Sequence, residues 1–216
     1  MQKLTNSKIK ICGIKKIDNL KTCVELKINY FGLVFYSNSP RNVNVDQASK
    51  LLNYAKNKKI SSVGVFVDKP INELKDLLSK IELNYIQLHG NEDNSYILEI
   101  KKHTKSKIIK NIAIKNKLNF KNIKKYPDVD MFLFDYKPNK NELPGGNSKS
   151  FSWNLIKNLK IEKPWFLSGG INIKNINDIK NYAIPYGIDI SSGVEDKPGI
   201  KNNKKIIELI NEYKKN

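Results

Sequence analysis

Residues 30–66 read YFGLVFYSNSPRNVNVDQASKLLNYAKNKKISSVGVF, and this stretch decides the fold. Its first apolar run, YFGLVF, is followed by a segment in which Ala48, Leu51, Leu52 and Ala55 recur at helical spacing. A second apolar run, ISSVGVF, comes next. Two buried strands separated by an amphipathic helix form the pattern of a βαβ unit with parallel strands. We therefore expect an α/β fold.

The same alternation continues on both sides of this stretch. Strand-like runs are predicted at 8–12, 30–35, 60–66, 84–88, 107–113, 130–135, 165–168 and 186–190. Helical segments are predicted at 17–28, 46–57, 71–81, 94–104, 116–125, 152–160, 173–182 and 201–214. Eight such units without a Pro/Gly/Ser linker predict one domain, residues 1–216, folded as a single-domain (β/α)8 TIM barrel. An open doubly wound sheet is the alternative, but it usually has fewer strands and needs a reversal point.

The composition limits the class of protein and its partners. The formal net charge is +18, yet 38 of the 39 basic residues are lysines spread over every segment. A nucleic-acid-binding protein is therefore a weaker interpretation than a positive field that attracts small anions. We expect no membrane span, no metal site and a cytoplasmic location. The sequence has no long apolar run, no signal segment and no zinc-ligand spacing, and its two cysteines, Cys12 and Cys23, indicate reduced thiols.

In a barrel of this type the active site lies at the carboxyl ends of the strands. Arg41, which follows the second strand, is the only arginine, and its planar fork binds a carboxylate or phosphate with two hydrogen bonds. An arbitrary surface cation is the alternative for this residue. The other candidates at strand ends are Cys12, His89, Asp135, Gly169, Gly170, Asp189, Ser191 and Ser192.

Two neighbouring loops are predicted to bind phosphate. SGG follows the seventh strand and SSG follows the eighth, and both offer exposed backbone N–H groups. The segment SGVED then supplies a short helix, which Glu195 and Asp196 cap or brace. The long loop after the sixth strand is interpreted as a lid, with a tolerated surface insertion as the alternative.

Cys12 and Asp135 are the candidate base and acid, because the first and sixth strands reach opposite sides of the barrel mouth. Surrounding lysines or helix N-termini are the groups that would lower the pKa of the Cys12 thiol for this role. A small apolar residue at a strand end is the alternative for Cys12. Cys23 is expected in the core and His103 on the surface. His89 is interpreted as a ligand contact or a hydrogen-bonded spacer.

Seven motifs in order, KICGI, FGLVFYSNSPR, VGVFVD, IQLHGNED, FLFDY with PGGNSKSFSW, LSGGI and GIDISSGVEDKPGIK, resemble the phosphoribosylanthranilate isomerase family of tryptophan biosynthesis. The resemblance covers nearly the whole chain. It implies Cys12 as general base and Asp135 as general acid. Arg41 would hold the anthranilate part of the substrate, and His89 and Asp189 would line the same pocket. Backbone groups of the two phosphate loops, at Gly169, Gly170, Ser191 and Ser192, would hold the phosphate.

The resemblance implies an Amadori rearrangement of N-(5-phosphoribosyl)anthranilate by proton transfers alone, with no cofactor. One departure lies in the lid, where the family usually has Gly-Gly-Thr-Gly or Gly-Gly-Ser-Gly and this chain has Gly145, Gly146, Asn147 and Ser148. The alternatives are another phosphosugar-isomerising barrel, a basic nucleic-acid-binding protein and a non-catalytic barrel. The expected partner is a small anionic substrate, and both a monomer and a homodimer stay open.

Overall fold

The computed structural model describes residues 4–139, 142, 145, 146 and 149–215. Eight parallel strands form a closed barrel in chain order, and β1 pairs with both β2 and β8. The strands are β1 (Lys8–Cys12), β2 (Tyr30–Val34), β3 (Ser61–Phe66), β4 (Tyr85–Leu88), β5 (Lys107–Ile114), β6 (Met131–Tyr136), β7 (Trp165–Leu167) and β8 (Gly187–Ile190). The predicted barrel is confirmed, and every predicted strand boundary lies within one residue of an observed one. The predicted domain extent, 1–216, stays a prediction.

Helices cover the outside of the barrel. Five α-helices occur among the described residues: α1 (Ile17–Glu25), α2 (Val45–Ala55), α3 (Ile71–Lys80), α4 (Asn94–Lys101) and α5 (Asn203–Tyr213). None of the helices in the described part of the chain is long and apolar enough to cross a membrane.

The predicted helical segments at 116–125, 152–160 and 173–182 are 3-10 rather than α-helical. The chain forms 3-10 segments there, at Lys117–Lys125, Trp153–Ile156 and Ile176–Asn181. In the first segment, Asn116 and Asn119 bind neighbouring backbone N–H groups, and Phe120 is its one buried side chain. Asparagine competes with the α-helical hydrogen bonds in this way, and a lysine-rich turn without acidic partners gains no support from side-chain pairs.

Side chains of the strands alternate between the core that separates the sheet from the helices and the inside of the barrel. Ile9 and Ile11 of β1 belong to the core between the sheet and the helices, whereas Lys10 points into the barrel and bonds Gln87 across it. Apolar side chains fill the amino-terminal end of the barrel. There the rings of Tyr30 and Phe166 meet edge to face with centroids 5.4 Å apart. The carboxyl end of the barrel is polar, and the candidate residues converge there.

Candidate active site

One cavity at the carboxyl ends of the strands brings together residues from seven of the eight strand ends, all except that of β5. Val34 and Val65 form part of an apolar wall, and the thiol of Cys12 packs against them. Gly145 and Gly146 from the loop after β6 also line the cavity. The predicted site residues that line it are Cys12, Arg41, His89, Asp135, Asp189 and Ser191.

A second pocket adjoins this cavity and shares Asp135 with it. Its lining includes all four residues predicted to bind phosphate, Gly169, Gly170, Ser191 and Ser192. Gly169 and Gly170 have φ values of 94° and 63°, a region that favours glycine. A Cβ on Gly193 would lie 2.0 Å from the carbonyl oxygen of Ile171, so glycine there lets the two loops approach. The expected short helix at SGVED is a single 3-10 turn, Ser192–Val194.

The thiol of Cys12 is buried, and burial raises its pKa. The positive charges of Lys10, Lys201 and Arg41 lower this pKa, and the charge of Asp189 raises it. The net result is a raised pKa. The loss of hydration therefore outweighs the nearby cations, which by themselves would lower the pKa of this thiol.

Lys10 is a fully buried cation two residues before Cys12 on the same strand. Its Nζ donates to Oδ2 of Asp189 at 2.9 Å and to Oε1 of Gln87 at 2.7 Å. Burial alone would lower the pKa of Lys10, but Asp189 raises it above its usual value, so the amine is protonated at neutral pH. The other carboxylate oxygen of Asp189, Oδ1, is buried and has no hydrogen-bond partner among the described residues.

Asp135 faces His89 across the cavity. The distance from Nε2 of His89 to Oδ2 of Asp135 is 3.5 Å, and both side chains are buried. Oδ1 of Asp135 accepts a hydrogen bond from the backbone N–H of Tyr136 at 2.7 Å, which fixes the rotation of the carboxyl group. The other ring nitrogen of His89, Nδ1, lies 2.9 Å from Nε2 of Gln87. His89, expected as a ligand contact or a spacer, thus both lines the cavity and joins a hydrogen-bonded chain.

Arg41 is held by a buried carboxylate. Its Nε donates to Oε1 of Glu195 at 2.9 Å and its Nη2 donates to Oε2 at 2.7 Å, while Lys201 donates to the same carboxylate at 2.5 Å. Glu195 was expected to cap or brace the short helix after β8; it pairs with Arg41 instead. Asp196 also departs from that expectation, since it accepts hydrogen bonds from Asn202. The N–H groups on Nη1 of Arg41 make no hydrogen bond to a described residue.

Gly13 explains how Arg41 reaches the cavity beside Cys12. A Cβ on Gly13 would lie 2.8 Å from Cδ of Arg41, and the φ of Gly13 is +83°. The short distance and the positive φ both favour glycine at position 13, directly after Cys12. Of the predicted lid, Gly145 and Gly146 are described, and the carbonyl of Gly146 accepts a hydrogen bond from Arg41 at 3.3 Å. The other two lid residues, Asn147 and Ser148, lie outside the described residues.

The profile of the family described as N-(5'phosphoribosyl)anthranilate (PRA) isomerase matches residues 9–212. The chain belongs to the PRA isomerase family. It is 36% identical over 204 residues to the N-(5'-phosphoribosyl)anthranilate isomerase of Paramagnetospirillum magneticum, with 94% of each chain covered. The resemblance seen in the sequence motifs is thereby confirmed.

Solved structures agree with this relationship. The phosphoribosyl anthranilate isomerase of Thermotoga maritima is 28% identical and superposes with a TM-score of 0.86, covering 97% of this chain and 100% of that one. Another phosphoribosyl anthranilate isomerase, solved in complex with reduced 1-(o-carboxyphenylamino)-1-deoxyribulose 5-phosphate, is 27% identical with a TM-score of 0.81 and the same coverage.

Three polar residues of this PRA isomerase family member, Lys149, Lys10 and Gln87, escaped the sequence analysis, and so did the partner of Glu195. Lys149 lines the second pocket, beside Gly169 and Gly170, and its only sequence signal is its place in the lid segment. Lys10 sits in an apolar run, KIKIC, where strand alternation places it on the inward face with Cys12. No local signal marks Gln87 or the pairing of Glu195 with Arg41, because the partners are 77 and 154 residues apart.

The described part of the chain contains no group of three or more His, Cys, Asp or Glu side chains that could hold a metal ion. The charged side chains of the site are instead paired with one another, as Lys10 is with Asp189 and Arg41 with Glu195. The expectation that no cofactor takes part stays a prediction.

Proposed function

We propose that this member of the PRA isomerase family converts N-(5'-phosphoribosyl)anthranilate into 1-(2-carboxyphenylamino)-1-deoxyribulose 5-phosphate, a step of tryptophan biosynthesis. One observation carries the proposal together with the family match. The thiol of Cys12 and the carboxyl group of Asp135 line one cavity, and the glycine-lined pocket opens directly beside it. A phosphosugar anchored in that pocket extends between a base on β1 and an acid on β6.

The phosphate end of the substrate is expected to bind the loops after β7 and β8. Backbone N–H groups around Gly169, Gly170, Ser191 and Ser192 suit phosphate oxygens because they donate without bringing bulk. Lys149, which also lines this pocket, adds a positive charge at its rim.

The anthranilate end is expected to lie between Arg41 and the apolar wall. Nη1 of Arg41 is the donor available to the anthranilate carboxylate, and Glu195 holds the rest of the guanidinium in place. Val34 and Val65 offer the apolar surface that an aromatic ring needs. The free Oδ1 of Asp189 is positioned in the same cavity and suits a ribose hydroxyl donor.

The reaction then needs one general acid, one general base and a final tautomerisation. Asp135, as the general acid, gives its proton to the furanose ring oxygen, the bond from that oxygen to C1′ breaks, and the anthranilate nitrogen lone pair forms the Schiff base. Cys12, as the thiolate, takes the proton from C2′, and the electron pair of the C–H bond forms the enolamine. The enolamine then tautomerises: C1′ gains a proton, the C2′ hydroxyl loses one and becomes the ketone, and the rearrangement changes proton positions without an external oxidant.

The test is turnover of N-(5'-phosphoribosyl)anthranilate generated in situ. We expect prompt consumption by the intact chain and losses in kcat of about 10²–10⁴-fold in Cys12→Ser and Asp135→Asn, because each variant removes one acid–base group. Matched controls are Cys23→Ala, in the core on α1, and Asp76→Asn, on the exposed face of α3. Both controls should keep kcat while folded.

Each outcome separates the alternatives. Unchanged kcat in Cys12→Ser would keep the reaction and refute the assignment of the base. No consumption by folded protein, with turnover of a different phosphosugar, would support another isomerising barrel. Binding of RNA or DNA that weakens steeply with salt and ignores Cys12→Ser would support the nucleic-acid alternative. The monomer and the homodimer both stay predictions, and sedimentation equilibrium distinguishes them.

A further inference from the structure

A buried chain of hydrogen bonds joins Asp189 to His89 at the cavity, and His89 in turn faces Asp135. Lys10 bonds Asp189 and Gln87, Gln87 bonds His89, and His89 faces Asp135. The three links from Asp189 to His89 are 2.9, 2.7 and 2.9 Å long. The chain therefore joins the side of the site that holds Cys12 to the side that holds the acid.

The direction of each hydrogen bond in this chain is fixed by the lysine. A protonated lysine has three donors and no acceptor, so the atom of Gln87 that faces Lys10 is the carbonyl oxygen. The amide nitrogen of Gln87 therefore faces His89 and donates to it. Nδ1 of His89 must accept that hydrogen bond, so a neutral imidazole carries its proton on Nε2.

We infer that Lys10 and Gln87 are positioning residues that hold His89 as the Nε2–H tautomer, so that the imidazole donates to Asp135 once that carboxyl group has given up its proton. The inference rests on the proposed role of Asp135 as the general acid. The step balances simply: the proton leaves Oδ2 of Asp135 for the furanose ring oxygen, and the Nε2–H group of His89 then faces a carboxylate.

This arrangement favours the transition state over the ground state. Nε2 of His89 and Oδ2 of Asp135 are 3.5 Å apart, so their contact is weak while the carboxyl group still carries the proton that it is proposed to give up. As negative charge develops on Asp135, the fixed donor stabilises it without reorganising. The opposite tautomer would present a lone pair of Nε2 to the same carboxylate, and an imidazolium would hold Asp135 ionised before it has delivered its proton.

The first test reads the tautomer directly by NMR of protein labelled with ¹⁵N-histidine. The chain has only two histidines, and the exposed His103 is assigned with a His103→Gln variant. We expect the signals of His89 to show a protonated Nε2 and an unprotonated Nδ1. A proton on Nδ1 in the intact chain would overturn the inference, whatever the activity.

The second test is the variant Gln87→Glu, which replaces the donor that faces His89 with an acceptor. A glutamate keeps the acceptor for Lys10 but presents a second acceptor to His89, so Nδ1 should gain a proton. We expect kcat to fall by about 100-fold, the size of effect seen when one preorganised donor is lost, with KM little changed. The matched control is Gln47→Glu, the same substitution on the exposed face of α2, where it preserves the capping pattern.

The readouts separate failure of this inference from failure of the proposed function. Unchanged His89 signals, or unchanged kcat, in folded Gln87→Glu would refute the positioning role. The expected tautomer in a folded chain that does not consume N-(5'-phosphoribosyl)anthranilate would refute the proposed function and with it the catalytic part of the inference, while the hydrogen-bond assignment would stand. Circular dichroism checks that the variant is folded, and the measurement on the intact chain needs no variant.

Discussion

Glu195→Gln is expected to destabilise the chain strongly and to weaken substrate binding. The Glu195 side chain is only 3% exposed and accepts three hydrogen bonds, two from Arg41 and one from Lys201. An amide keeps one acceptor oxygen and turns an NH₂ group toward a guanidinium. Two buried cations then lose their only shared counter-charge in this cluster.

The magnitude follows from that loss. Removing one partner of a buried ion pair costs about 3–5 kcal/mol, because the remaining charge stays desolvated. In a domain of this size each kcal/mol lowers the melting temperature by about 2–4 °C, so we expect a decrease of roughly 6–20 °C. Arg41 also loses the support that orients its free Nη1, so KM should rise by about tenfold, equivalent to about 1.4 kcal/mol, with a smaller change in kcat.

Urea unfolding followed by circular dichroism at neutral pH measures the free-energy difference, and steady-state kinetics measures KM. The control is Glu73→Gln, which removes an exposed pair with Lys69 and should cost less than about 1 kcal/mol. A loss in Glu195→Gln no larger than in this control would refute the reasoning that the cluster is a buried ion network.

The same pair of proteins gives a pH test. Burial alone would raise the pKa of Glu195, but the hydrogen bond from Arg41 and the charge of Lys201 hold it below its usual value. A carboxyl group with a lowered pKa in the folded state stabilises the fold above its unfolded pKa, and this stabilisation disappears as the pH falls through the lowered value. The stability difference between the intact chain and Glu195→Gln should therefore narrow in acid.

Three further outcomes are expected. Burial raises the pKa of Cys12, so the fraction of thiolate base, and with it kcat/KM, should increase from neutral into alkaline pH. A pH–rate profile that is flat in this range would contradict the prediction. Gly13→Ala should cost about 1–2 kcal/mol through its left-handed backbone and displace Arg41. Urea unfolding and kinetics test it, and an unchanged KM would show that the close contact is unimportant. Tyr213→Phe removes the hydroxyl whose one proton is shared between the carbonyls of Leu4 and Ser7, both 2.6 Å away, and should cost about 1–3 kcal/mol in urea unfolding without changing kcat.

Short-range patterns were enough to predict the barrel. Each strand is a compact apolar run, so its position depends on neighbouring residues rather than on distant ones. Chain order and the parallel arrangement then place Cys12, Asp135 and Asp189 at one face, because all eight carboxyl ends meet there. The helix type was less predictable: Lys117–Lys125 has helical spacing, but its asparagines bond the backbone locally and favour a 3-10 segment.

The sequence by itself determined the barrel, the residues at its strand ends and the family, since these depend on local periodicity and on ordered motifs. Only the tertiary structure decided how the charged side chains pair. Lys10 meets Asp189 because β1 closes on β8, and Arg41 meets Glu195 across 154 positions of the chain. The tertiary structure also decided the direction of the Cys12 pKa shift. Burial raises this pKa and nearby cations lower it, and their balance depends on the folded surroundings.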